Sequence, residues 1–212
     1  LFLSFLEPHH QNSRDDFPAP DGYEERYAGR WMPPDLAALG GTAAQHLPGY
    51  WGMVKRLDEA YGRLRDALRS RDLDRDTVVW FTSDHGCHFK TRNGEYKRSC
   101  HEASIRVPTV LAGPSFEGGR RMEELVSLID LPPTLIDAAG AKPLKEMTGR
   151  SFLALLTGAS YEPRKHIFGA RLSYGNSPST EKRKANGFDL SRCVRSENWK
   201  LIYNCTPQME YQ

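Results

Sequence analysis

Cysteine is scarce. The 212-residue sequence has four, at Cys87, Cys100, Cys193 and Cys205, and no Cys-x-x-C pair. That excludes a disulfide-dense scaffold, and the doublets Cys87-His88 and Cys100-His101 lack the spaced ligand pairs of a zinc finger. No apolar run approaches the roughly 20 residues that a bilayer-crossing helix needs; Leu1 to Leu6 is followed at once by Glu7. Neither sign of charge prevails, with 29 Lys and Arg against 27 Asp and Glu and a formal net charge of +2. A dedicated nucleic-acid surface is therefore not indicated. There is no internal repeat or low-complexity tract. With 39% hydrophobic and 26% charged residues, the chain has the composition of a folded protein with a real core.

The apolar run Leu1 to Leu6, stopped by Glu7-Pro8, predicts a buried strand with His9 and His10 at its C-terminal edge. Residues 11 to 46 are rich in Pro, Gly and Asp and predict a long irregular loop. From Tyr50, apolar residues recur every three or four positions through Met53, Val54, Leu57, Tyr61, Leu64 and Leu68, which predicts an amphipathic helix. Thr77 to Thr82 reads as a central strand and Arg106 to Ala112 as another, with Pro108 placing it at an edge or a strand start. Leu125 to Ala139 predicts a helix interrupted by Pro132-Pro133, and Ser151 to Leu156 a short one. Strand, helix, strand, loop, strand, helix is the grammar of an α/β fold with a mainly parallel sheet flanked by helices. After Tyr161 the composition turns polar. His166 to Leu172 and Cys193 to Tyr203 predict strands of a small antiparallel sheet, with the run Lys182-Arg183-Lys184 in a solvated loop between them. The expected division is residues 1–158 and 159–212. Cys193 and Cys205 suit either a late disulfide or two buried thiols.

Ligands of open α/β sheets gather at the carboxyl ends of strands. One such end gives Glu7-Pro8-His9-His10 and the other gives Thr82-Ser83-Asp84-His85-Gly86. A carboxylate and an imidazole side by side suit a metal site, and Gly86 lets the backbone turn away. Alone, Asp-His-Gly is a weak signal, because most such strings are turns or caps. Here it is followed by Lys97, by His101-Glu-Ala-Ser-Ile-Arg-Val-Pro108, and by Ser127-Leu-Ile-Asp-Leu-Pro-Pro-Thr-Leu-Ile-Asp-Ala-Ala-Gly140.

These strings, in this order and spacing, resemble the sulfatase family of the alkaline-phosphatase-like superfamily. The resemblance runs from Leu1 to about Gly158 and returns in Val194-Arg-Ser-Glu-Asn-Trp-Lys-Leu-Ile202. It implies an α/β sheet with a small antiparallel C-terminal subdomain, and hydrolysis of sulfate esters, carbohydrate sulfates among them. It implies one divalent cation, usually calcium, with Asp84 and His85 as half of its site. Lys97 then contacts the sulfate and the leaving-group oxygen, and His9 binds there too and protonates the leaving oxygen. Secreted, periplasmic or lysosomal compartments are favoured by the same resemblance.

The sequence departs from the family pattern in its nucleophile. The family uses a formylglycine made from Cys or Ser in Cys/Ser-x-Pro-x-Arg, and no such string occurs; Cys205-Thr-Pro-Gln-Met lacks the arginine. The early Asp-Asp ligands and the Lys-x-His pair are absent too. With no methionine at position 1 and strand-like runs at both ends, the sequence reads as part of a longer enzyme, inactive by itself. The competing readings are a phosphoesterase or phosphonate hydrolase of the same superfamily, for which His166 is the one candidate downstream histidine, and a non-catalytic fragment. His9 is preferred over His10 as the residue facing the site. Glu102 and Arg106 are expected to form an ion pair that pins their loop. His88, Cys100 and His101 either shape the pocket or are solvated.

Overall fold

The computed structural model describes residues 1–11, 13–114, 116, 119–172 and 190–205. Lys182-Arg183-Lys184 lies outside them. The chain forms two compact units, one made of residues 1–77 and 86–98, the other of Val78–His85 and the described residues from Ser99 onward.

The first unit is organised on one long helix. Two short helices, α1 (Tyr23–Tyr27) and α2 (Pro34–Ala37), lie within the stretch expected to be irregular, and α3 runs Ala43–Ser70. It begins seven residues before Tyr50 because Ala43, His46 and Leu47 continue the apolar face one turn further back, and all three are buried. Its 28 residues make a rod of about 42 Å. The buried residues all lie in its first eleven, and Ala43, Leu47 and Met53 among them join Phe17, Leu36 and Phe89 in the core of this unit. Two glycines allow the fit: a Cβ on Gly49 would lie 2.3 Å from the Phe17 carbonyl, and one on Gly52 2.5 Å from the Ala19 Cβ. Farther along, Tyr23 of α1 donates its hydroxyl to Glu59 at 2.8 Å. Leu1 to Leu6, expected to be a buried strand, forms no strand, and Leu1, Phe2 and Leu6 are exposed. A buried strand needs a neighbour to take its backbone hydrogen bonds, and this run has no ladder partner among the described residues.

The second unit holds β1 (Val79–Thr82) and β2 (Thr109–Ala112), joined by a long segment containing only the four-residue helix α4 (Glu102–Ile105). They pair antiparallel, Val79 opposite Ala112 and Thr82 opposite Thr109. The strand grammar predicts parallel pairing, but the segment between the strands carries only the four-residue α4 and lacks the full helix that usually returns a chain parallel. Thr82 fastens the turn-back by donating to the Pro108 carbonyl at 3.0 Å.

Beyond β2, a 3₁₀ turn (Leu128–Asp130) leads into α5 (Leu131–Ala138), and α6 (Leu153–Thr157) follows. The helix expected over Leu125 to Ala139 thus starts later, with Pro132 and Pro133 in its first turn, where missing N–H groups cost nothing. Asp130, fully buried, stands at the N-cap position of α5, and its side chain closes a capping box on Ser127. Its Oδ1 accepts from the Arg150 N–H at 2.7 Å and Arg164 Nη2 at 2.5 Å, and its Oδ2 from the Ser127 N–H at 3.0 Å and Arg164 Nε at 2.9 Å.

Among the described residues three further strands follow: β3 (Ile167–Leu172), β4 (Leu190–Arg195) and β5 (Lys200–Asn204), an antiparallel sheet in that order. The single strand expected over Cys193 to Tyr203 is a hairpin, because Ser196 turns the chain by donating its N–H to the Trp199 carbonyl at 2.8 Å. Glu102 of α4 does not pair with Arg106. It pairs with Lys200 of β5 and, at 3.7 Å, with Arg195 of β4, because Lys200 and Arg195 are cross-strand neighbours presented together.

Candidate active site

His9 and Lys97, 88 positions apart, meet in the first unit, with His9 Nε2 and Lys97 Nζ separated by 3.2 Å. The proton arrangement follows from the partners. His9 Nδ1 lies 2.6 Å from the His10 carbonyl, which only accepts, so Nδ1 carries the hydrogen. A neutral ring then offers a bare Nε2 to the Lys97 ammonium. If Nε2 takes up a proton, two cations face each other at 3.2 Å, and an anion placed against both relieves that repulsion.

His10 points elsewhere. It is buried, its ring is stacked on Tyr96 with centroids 3.7 Å apart, and its Nε2 lies 3.1 Å from Asp15 Oδ1. The same carboxylate oxygen accepts from Lys90 Nζ at 2.9 Å and the Tyr96 hydroxyl at 2.8 Å. These hydrogen bonds, Lys90 first and Tyr96 second, hold the Asp15 carboxyl down at about 2. Lys90 also lies over the Tyr96 ring, 4.9 Å from its centroid. Asp15, Phe89 and Lys90 all hold left-handed backbone, with φ of 52°, 48° and 59°. Behind them His46 Nδ1 lies 3.1 Å from the Thr42 hydroxyl, and burial holds this imidazole below its usual range. Burial pushes the Cys87 thiol up to about 11 and the Tyr50 hydroxyl up to about 12. This brace of Asp15, Lys90 and Tyr96 escaped the sequence reading. Its one advance signal, the length of the loop 11 to 46, does not single out Asp15.

Asp84 and His85 follow β1 in the second unit. Asp84 Oδ1 accepts the His85 N–H at 2.9 Å, and its Oδ2 stands 3.5 Å from His85 Nε2. Ser83 donates to the His85 carbonyl at 2.8 Å and sets the turn. Two ligands with bonds of about 2.1–2.4 Å to one cation stand about 3–3.6 Å apart, so this pair fits two positions of a metal shell. The Asp84 side chain is 84% exposed, which leaves the remaining positions open. Among the described residues no group of three or more His, Cys, Asp and Glu side chains converges.

Cys193 does not meet Cys205. Cys193 is buried and has the Cys100 thiol as its hydrogen-bonding neighbour, whereas Cys205 is exposed. His88 and Cys100 are both buried.

Residues 1–141 match the family model "Sulfatase", and residues 94–211 match the model for the C-terminal region of N-sulphoglucosamine sulphohydrolase. Human Arylsulfatase K is 36% identical over 153 residues, which is 72% of this chain and 28% of that protein. Among solved structures, a Bacteroides thetaiotaomicron protein described under the metabolism of multiple glycosaminoglycans superposes with a TM-score of 0.76. It is 22% identical, with 97% of this chain and 44% of the other covered. The phosphonate monoester hydrolase of Agrobacterium radiobacter superposes with a TM-score of 0.64 at 26% identity, covering 74% of this chain and 32% of that one. The chain spans between 20% and 28% of the length of the mouse and human Arylsulfatase K it matches.

Proposed function

Because the chain belongs to the sulfatase family, with its α/β, alkaline-phosphatase-like fold, we propose that it supplies part of the active site of a metal-dependent sulfuric ester hydrolase. The observation that carries this reading is the approach of His9 Nε2 to Lys97 Nζ at 3.2 Å. Once His9 Nε2 is protonated, two nitrogen donors stand at that distance and make a place for an oxyanion. A sulfate ester gathers negative charge on its equatorial and leaving oxygens as the bond to the alkoxide breaks, and donors already in position stabilise that charge most. Lys97 holds the sulfate and leaving oxygen. His9, whose Nδ1 hydrogen is committed to the His10 carbonyl, carries the transferable proton on Nε2 and delivers it to the leaving alkoxide.

The family uses a divalent cation and a formylglycine. In this reading Asp84 and His85 hold the cation, calcium, and no residue of this sequence serves as the nucleophile. When bound, such a cation polarises the sulfate oxygens. The carboxylate of Asp84 is the oxygen donor that calcium prefers, and His85 is its nitrogen-bearing neighbour. Residues 1–158 are assigned to the C-terminal part of the α/β domain, and residues 159–212 to the start of the C-terminal subdomain, which contains the whole of the β3–β4–β5 sheet. The substrate is assigned as a sulfated carbohydrate, in line with the matching model for N-sulphoglucosamine sulphohydrolase.

The likeness to a phosphonate monoester hydrolase keeps a second reading in play. Turnover of aryl sulfate, aryl phosphate and aryl phosphonate monoester by the full-length protein separates the two. Sulfate is expected to be the preferred ester, with Lys97→Ala and His9→Ala each lowering kcat/KM by roughly a hundredfold. Faster turnover of the phosphonate, or sulfate turnover by Lys97→Ala within about threefold of the parent, overturns the proposal.

A further inference from the structure

We propose that Cys100 and Cys193 form a disulfide that fastens the segment carrying α4 to the β3–β4–β5 sheet. Register puts them on one interface. Cys193 and Arg195 share a face of β4, and opposite them on β5 stand Ile202 and Lys200. From that face Lys200 Nζ donates to the Cys100 carbonyl at 2.8 Å, and Lys200 and Arg195 both pair with Glu102. The face that carries Cys193 therefore packs against residues 100–102. Both cysteines are buried, at 4% and 5% exposure, both carry free thiols in this structure, and the two thiols interact electrostatically. On the other side of β4, Gly169 is the cross-strand partner of Cys193, and a Cβ there would lie 2.8 Å from the Cys193 sulfur. The glycine leaves the sulfur its space.

Cys205 is not an alternative partner. Its N–H bonds the Leu190 carbonyl, three positions from Cys193 along β4. That offset is about 10 Å, beyond the roughly 4.4–6.8 Å between Cα atoms that a disulfide spans.

The oxidant is a disulfide donor such as oxidised glutathione. One protein thiolate attacks a donor sulfur, the donor S–S bond breaks and one donor thiolate leaves. The second protein thiolate attacks the protein sulfur of the mixed disulfide, the protein S–S bond forms and the second donor thiolate departs. Two thiol protons pass to the two donor thiolates, so the protein loses two electrons and the donor gains them. Burial, with the neighbouring Cys193, pushes the Cys100 thiol up to about 11 in the closed structure, while Lys200 and Arg171 pull it back.

The test is independent of the hydrolase reading because no activity is measured. The full-length protein is folded over a series of glutathione ratios, alkylated in denaturant and digested for peptide mass mapping. The expected product joins the Cys100 and Cys193 peptides, two hydrogens lighter than their sum, with Cys87 and Cys205 alkylated. Reduction is expected to lower Tm by roughly 5 °C or more in the parent and in Cys205→Ser, but not in Cys100→Ser or Cys193→Ser. Cys100 and Cys193 both alkylated in folded protein at the most oxidising ratio, or a Cys193 to Cys205 link, overturns the proposal. Should the serine variants fail to fold, the peptide map of the parent decides alone.

Discussion

Asp130→Asn removes one charge and almost no volume, and it should cost nearly as much stability as Asp130→Ala. Each carboxylate oxygen accepts twice, once from a backbone N–H and once from Arg164. An asparagine must turn its amide NH₂ toward one of these two positions, where it meets two donors with no acceptor between them. A broken hydrogen bond to a charged group is worth about 1.5–3 kcal/mol. Losing one partner of a buried ion pair costs about 3–5 kcal/mol. The Arg164 side chain keeps 24% of its exposure and is partly rehydrated, which moves the figure to the lower end. The expectation is about 2–3 kcal/mol for Asp130→Asn and about 3–4 kcal/mol for Asp130→Ala, read as shifts in the urea midpoint at unchanged m-value. The pH dependence carries a sign of its own. Burial works to raise the Asp130 carboxyl, but the hydrogen bonds from Arg164, Arg150 and Ser127 outweigh it and hold the group below its usual range. Its contribution is thus complete above the unfolded value of about 3.9 and is lost as pH falls through the lower folded value. The gap between parent and Asp130→Asn should be full at pH 7 and close below about pH 4. A difference under about 0.5 kcal/mol at pH 7 would refute the reasoning.

The 212-residue chain expressed alone should not turn over an aryl sulfate, because no side chain in it replaces the nucleophile; release of the aryl alcohol above the rate of a Lys97→Ala control contradicts this. Calcium titration calorimetry on the same material should give binding weaker than roughly micromolar, since the two ligand residues proposed, Asp84 and His85, would fill only part of a shell of six to eight. Asp15→Asn keeps a residue that tolerates left-handed backbone and removes the charge facing Lys90 and Tyr96. Because the Asp15 carboxyl is held at about 2, the stability gap between parent and variant should be present above about pH 4 and shrink as pH falls toward 2. A gap that stays constant over that window would show that the charge plays no part.

How much could be read in advance varies with the range of the forces involved. The motif Ser127 to Gly140 carried its structure openly: Ser127 and Asp130 form a capping box, and Pro132 and Pro133 sit where a first turn admits them. The length of α3 was under-read because Ala43 and His46 are weak as hydrophobic signals and their burial is decided by Phe17 and the loop beyond it. The pairing of Glu102 was misjudged for a similar reason. Its partners lie about a hundred residues downstream, whereas Arg106 is near in sequence but projects from extended backbone after α4. Asp15 was invisible, because nothing local distinguishes the oxygen that gathers Lys90, Tyr96 and His10 from any other loop aspartate. The direction of β1 against β2 was likewise set by what is missing between them, a crossover helix, and not by the strands themselves.

The three-donor oxygen of Asp15 has a consequence for anyone recombining this protein with its relatives. Left-handed backbone at residues other than glycine costs about 1–2 kcal/mol each and persists only where the surroundings insist on it. At positions 15, 89 and 90 the surroundings are one another. A chimera that imports the segment around Asp15 without the segment around Phe89 to Tyr96 inherits strained geometry and leaves behind the contacts that hold it. Crossover points should therefore transfer both segments or neither, and libraries that randomise position 15 should co-vary positions 90 and 96.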